Sequence, residues 1–325
     1  MMRLLAPAAL LPGLLVSALL PAAAAAHGVA PTRQEVRPHA SWLSRLLPLF
    51  DPIAQARAAA RISIDESAGL RRIQGDGLPD HVTGVFPNRG NPNAIRPQSQ
   101  EYRVPLRPHI ASRPTPLIAS PFGVALNGVL FDPGTAEFWN NDRSSGWNYE
   151  ALSGKIDLGL DASNAHVQPN GAYHYHGVPA ALLARAGRDR PVWLGYAADG
   201  FPVYGPDAYR EAGSALSPLV EMRPGYRLKS GARPSGPGGA YDGTFVEDYE
   251  YLPGQGDLDA CNGRQGVTPE YPGGTYYYVL STRFPFIPRC YMGTPDASFM
   301  RRPPPGGRPG KGLPGKGFPG KASPG

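Results

Sequence analysis

The stretch His166-Val167-Gln168-Pro169-Asn170-Gly171-Ala172-Tyr173-His174-Tyr175-His176 carries three of the seven histidines of the chain. Side chains alternate between faces along a strand, so His174 and His176 share one face while Tyr173 and Tyr175 share the other. Pro169-Asn170-Gly171 fits a three-residue hairpin loop with Gly171 in the left-handed conformation. That loop pairs Gln168 with Ala172, His166 with His174 and Asn164 with His176, gathering all three imidazoles on one face of a ribbon. A two-residue Asn170-Gly171 loop instead pairs Val167 with His174 and turns His166 away, because a slip of one residue exchanges the faces. The turn decides both the local fold and whether a site exists on it.

Three imidazoles on a shared face suit a transition metal ion, zinc or copper foremost, with a position left for water or substrate. Asn164, opposite His176, is a further polar candidate beside them. The alternative is a ribbon in which the histidines are hydrogen-bonded packing, with Tyr173 and Tyr175 as an aromatic wall beneath.

Outward from the ribbon the pattern stays β-rich. Gly123–Asp132 holds a turn at Asn127-Gly128 between apolar runs, and Val192–Ala197 and Thr275–Ser281 read as strands. Helical signals are confined to Pro179–Ala186 and Ala208–Ala215. With 41 Gly and 39 Pro among 325 residues, the chain predicts a mainly β fold: antiparallel sheets, sandwich- or barrel-like, with long Gly/Pro-rich loops and few short helices. Residues 122–299 form the expected β domain. Residues 75–121 are a Pro-rich arm packed on it, since proline is kept out of helix interiors and central strands. Residues 27–74 read as a poorly ordered segment with a short helix or two between Ser41 and Ile64.

Residues 1–26 start with Arg3, run through Leu10–Leu20 and end in Ala22–Ala26, the pattern of a secretory signal peptide. No later stretch is long and apolar enough to be a transmembrane span. A periplasmic or secreted protein is expected. Residues 300–325 read as a disordered Pro/Gly/Lys tail carrying Arg301, Arg302, Arg308, Lys311, Lys316 and Lys321. Removing these six and Arg3 from the net charge of +6 leaves about −1, so the folded part gives no support to nucleic-acid binding. The tail is suited to weak contact with anionic surface polymers or lipid head groups, or is an inert solvated end. The chain's two cysteines, Cys261 and Cys290, suggest one disulfide in an oxidising compartment.

Other groups could carry chemistry. Asp199 lies in an Asp-Gly turn and either caps its own backbone or accepts the outer N–H of a ligand histidine. Alternation over Thr244–Tyr251 puts Glu247 on a face with Phe245, Tyr249 and Tyr251, either paired with a cation such as Arg264 or poised as a base. Asp257, Asp259 and Asn262 invite a calcium reading, though without EF-hand spacing, against turn capping. His27, exposed as a new N-terminus by cleavage after Ala26, could bind copper. The chain has no Gly-x-Ser-x-Gly elbow, phosphate-binding loop or dinucleotide fingerprint.

Tyr173–Gly177 (YHYHG), Gly195–Pro206 (GYAADGFPVYGP), Tyr241–Ser281 and Phe284–Asp296 (FPFIPRCYMGTPD) occur in that order, and through them the chain resembles the YHYH-domain family of exported proteins. The resemblance spans roughly Phe122 to Asp296 and implies export and kinship, with no settled activity. Members often carry a cysteine shortly before the histidine at the place of His166 and another after the tetrapeptide. Here the first segment is Asp161-Ala162-Ser163-Asn164-Ala165-His166 and no cysteine follows Gly177, as a lost disulfide would leave it. Three functions remain open: a metal-binding module, a metal-dependent extracellular enzyme using Glu247 or Asp199, and a surface-attachment protein without metal.

Overall fold

The structure, a computed structural model, describes residues 61–187 and 189–300. The expectations for the signal peptide, His27, the segment up to residue 60 and the tail beyond residue 300 lie outside the described residues.

The described chain opens with a hairpin. Strand β1 (Arg61–Asp65) pairs antiparallel with β2 (Leu70–Gly75), and β2 with β3 (Gln100–Pro105). For residues 61–74 this corrects the expectation of a poorly ordered segment with a short helix reaching Ile64. Ile73 and Val104 are buried in the main core, and the Arg71 guanidinium lies 4.1 Å from the Tyr196 ring centroid. Arginine stems cover apolar surface here, which disguised a half-buried strand as a polar segment.

Further strands follow in chain order: β4 (Thr115–Pro116), β5 (Gly123–Ala125), β6 (Leu130–Phe131), β7 (Ala165–Val167) and β8 (Tyr173–Tyr175). After α1 (Ala180–Arg185) come β9 (Trp193–Ala197), β10 (Pro202–Tyr204), β11 (Asp207–Tyr209), β12 (Leu219–Glu221) and β13 (Tyr226–Leu228). The last are β14 (Tyr249–Tyr251), β15 (Gly263–Gly266), β16 (Thr275–Val279) and β17 (Cys290–Tyr291). Eight of them make one sheet in the order β15-β16-β10-β9-β5-β6-β8-β7. The fold is mainly β, as expected. The sheet is mixed, because β6 runs parallel to β8 and β10 to β16, and it is open, with no closed barrel. Parallel neighbours need long connections, and the excursion between β6 and β8 is long enough to contain β7.

Phe122, Phe131, Tyr173, Tyr175, Val203, Tyr278 and Ile287 are buried in one cluster against this sheet. Two local expectations differ. Ala208–Ala215 forms no helix: Ala208 pairs with Val220 in β11 and β12, and Ala208 and Tyr209 are buried. Thr244–Tyr251 is not one strand, since a 3-10 turn occupies Val246–Asp248 ahead of β14. The buried Asp248 carboxylate accepts from Gly243 N and Phe245 N and so closes that turn.

The Pro-rich arm runs beside β7. Asn91 Nδ2 and Asn93 Nδ2 donate to Val167 O at 2.9 and 2.8 Å, and Arg96 N donates to Gly171 O at 2.9 Å. Cys261 and Cys290 form a disulfide with Cα atoms 5.1 Å apart, tying the turn before β15 to β17.

Candidate metal centre

The ribbon adopts the three-residue loop. Gln168 N donates to Ala172 O, and Gly171 N to Gln168 O, so His166 pairs with His174 and Ala165 with Tyr175. His176 N donates to Asn164 O at 2.7 Å and extends the register. Gly171 has φ +90°, and a Cβ there would lie 2.6 Å from Arg96 Cβ. Only glycine meets both demands.

Cross-strand pairs share a face, and the three imidazoles converge. Their ring centroids are 4.7, 4.8 and 4.7 Å apart, and one nitrogen from each lies within 4.8 Å of the others. His166 Nε2 and His176 Nε2 are 3.1 Å apart. A tetrahedral ion with nitrogen ligands at about 2.0–2.1 Å needs neighbouring nitrogens roughly 3.3 Å apart, so the His166–His176 pair stands at the spacing of two ligands on one first-row transition metal ion.

The proton positions fit as well. His166 Nδ1 is 2.7 Å from Leu158 O, and His174 Nδ1 is 3.3 Å from Ala172 O. A carbonyl only accepts, so at His166, where Leu158 O is the shorter contact and Asn91 Nδ2 lies at 3.3 Å, Nδ1 carries the proton and Nε2 offers its lone pair, and the longer His174 contact points the same way. His174 and His176 are buried, at 2% and 1% exposure, while His166 is half-buried. Burial holds the His166 pKa below the ordinary imidazole value, partly opposed by the Leu158 carbonyl and by Glu137, Asp132 and Asp161. The ring is thus kept neutral inside a field of carboxylates, which suits a dication.

The support of His166 comes from loop packing. Leu158 lies between Asp157 and Gly159, which press on Asn88 and Gly90 of the arm. A Cβ on Gly90 would meet Asp157 Oδ1 at 2.2 Å and Gly159 N at 2.4 Å. Asn164, at φ 55°, donates from Nδ2 to Val178 O at 2.9 Å and so shapes the chain beyond His176.

Asp132 is the residue that sequence reasoning passed over. Leu130 pairs with His174 and Phe131 with Tyr175 in parallel register, and Asp132 N donates to Tyr175 O. Asp132 therefore stands abreast of His176 on the histidine face. It is 2% exposed, and Gln168 Nε2 donates to its Oδ2 at 3.2 Å. Gln168 shares a face with His166 by strand alternation, so this bond spans β8 on the triad side. The sequence signal was the polar end of the run Gly123–Asp132, invisible as a site until β6 and β8 were known to be neighbours.

The other candidates are engaged elsewhere. Asp199 accepts from Tyr278 OH at 2.5 Å and Gly293 N at 2.9 Å, and burial pushes its pKa up to about 6. Glu247 accepts from Asn148 N at 2.8 Å, its pKa raised by burial and countered by Arg289 and Lys229. Arg264 is not its partner; that guanidinium donates to Tyr209 O and Met222 Sδ. Asp257 pairs with Arg223, Asp259 accepts from Cys261 N, Gly263 N and Tyr276 OH, and Asn262 donates to Val279 O, so each has a separate structural task. Beneath the ribbon Tyr173 OH donates to Asp161 Oδ2, and Tyr175 OH meets His81 Nε2 and Asn127 Nδ2.

A sequence-family profile described as "YHYH protein" matches residues 101–293. No curated protein and no solved structure matches.

Proposed function

The chain belongs to the YHYH protein family, and on that premise we propose that it is an exported domain whose His166, His174 and His176 hold a transition metal ion, zinc or copper. The observation that carries this reading is the facing pair of Nε2 atoms at 3.1 Å, with the proton of His166 committed to Leu158 O. Without an ion His166 Nε2 accepts from His176 Nε2–H, and a cation would take the place of that shared proton. Bound there, the ion would supply a Lewis acid. The disulfide supports an oxidising, periplasmic or extracellular setting, and among the described residues no helix is long and apolar enough to cross a membrane.

Elemental analysis of protein purified without an affinity tag tests this. One metal ion per chain is expected, and none in His174→Ala, whose circular dichroism should stay close to that of the parent. Equal, substoichiometric metal in both proteins makes the cluster a hydrogen-bonded packing element and removes the proposal.

A further inference from the structure

We propose that the metal centre keeps one exchangeable position, and that Asp132 accepts a hydrogen bond from the neutral, protic small ligand that fills it. This rests on the metal reading above. Among the described residues the only group of His, Cys, Asp or Glu side chains that converges with metal-ligand spacing is the triad itself. Three protein ligands on a tetrahedral ion leave a fourth place. Asp132 does not join the converging group, yet it stands on the same face beside His176.

The carboxylate is held by Gln168, and the backbone just beyond it by Arg289. Gln168 Nε2 holds Oδ2, and the carbonyl of the next residue, Pro133, accepts from Arg289 Nη1 at 3.0 Å. A buried carboxylate near a cation, but not bound to it, acts on whatever occupies the open place. It attracts a ligand bearing O–H or N–H and repels an anion. The ligand class is therefore small neutral molecules that combine a donor atom with a hydroxyl or an azole N–H.

Cobalt(II)-loaded protein, titrated with imidazole and with 1-methylimidazole while its visible absorption is followed, provides the test. Both probes offer the same donor nitrogen, and only imidazole retains the N–H. Imidazole should bind roughly tenfold or more tightly, the range of a hydrogen bond to a charged acceptor. Asp132→Ala should equalise the two, while Asp132→Asn, whose amide oxygen still accepts, should keep part of the preference. Gln168→Ala, which leaves the carboxylate in place but loosens it, should narrow the preference without removing it, and it serves if Asp132→Ala does not fold. Equal binding by the parent protein, a preference unchanged in Asp132→Ala, or no spectral response to either probe overturns the proposal while the metal reading stands. Failure of the parent to take up cobalt(II) stoichiometrically removes the metal reading itself.

Discussion

Asp199 and His166 are both withdrawn from water, and this moves their proton affinities in opposite directions. For Asp199 burial raises the pKa from 3.8 to about 6 against the pull of Tyr278 OH and Gly293 N. The folded state then binds the proton more tightly than the unfolded one, so the contribution is full below about pH 4 and is lost as pH rises through 6. The size is about 3 kcal/mol. Urea unfolding at pH 4.5 and 7 should show this decline in the parent and a flatter response in Asp199→Asn; matching slopes would remove Asp199 as its source. For His166 the folded pKa is lowered by burial. Its contribution in the metal-free protein is present above about pH 6.5 and fades as pH falls through the lower folded value. Coordination needs the neutral ring, so metal occupancy should drop on acidification below the imidazole range, as dialysis at stepped pH would measure. Gly171→Val forces a β-branched residue to φ +90° and should destabilise the protein by roughly 1–3 kcal/mol and weaken metal binding.

At the level of elements, the hairpin β7–β8 was legible because its turn chemistry selects a loop length, and loop length selects register. The alternation Tyr173-His174-Tyr175-His176 then assigns the faces. Asp132 was not legible, because a parallel pairing between β6 and β8 leaves no local mark in either segment. Thr244–Tyr251 shows the opposite failure. Its alternating pattern matched a strand, but Asp248 bonding back to Gly243 and Phe245 made a tight turn from the same residues. Gly90 and Gly159 mark another long-range contact, since they let the arm close on the loop that offers Leu158 O to His166. Gly90→Ala should push that loop outward. The expected result is metal affinity lowered by about tenfold, in the range seen when an outer partner of a ligand is disturbed, with the fold retained. Competition against a chromophoric chelator measures this, and an unchanged affinity would show that Leu158 is not held by the arm.

Across the whole molecule the bridge between Cys261 and Cys290 spans 29 positions. Closing such a loop restricts the unfolded chain by about 3–4 kcal/mol. Replacing both cysteines by alanine should lower the melting temperature by roughly 10 °C while leaving metal stoichiometry at one, because Cys261 precedes β15, at the opposite edge of the eight-stranded sheet from β7–β8. Loss of metal on reduction would contradict that separation. The β7 end has its own vulnerability. The strand beside the histidines is the last in the sheet, and an open rim of main-chain donors and acceptors is a template on which a second polypeptide can lay itself down. Here the rim is already taken: Asp161 holds Ala165, and the amides of Asn91 and Asn93 both cap Val167 O. The arm thus works as a guard rail, and a cut within residues 88–98 would turn a self-contained molecule into one that seeks a strand from its neighbour.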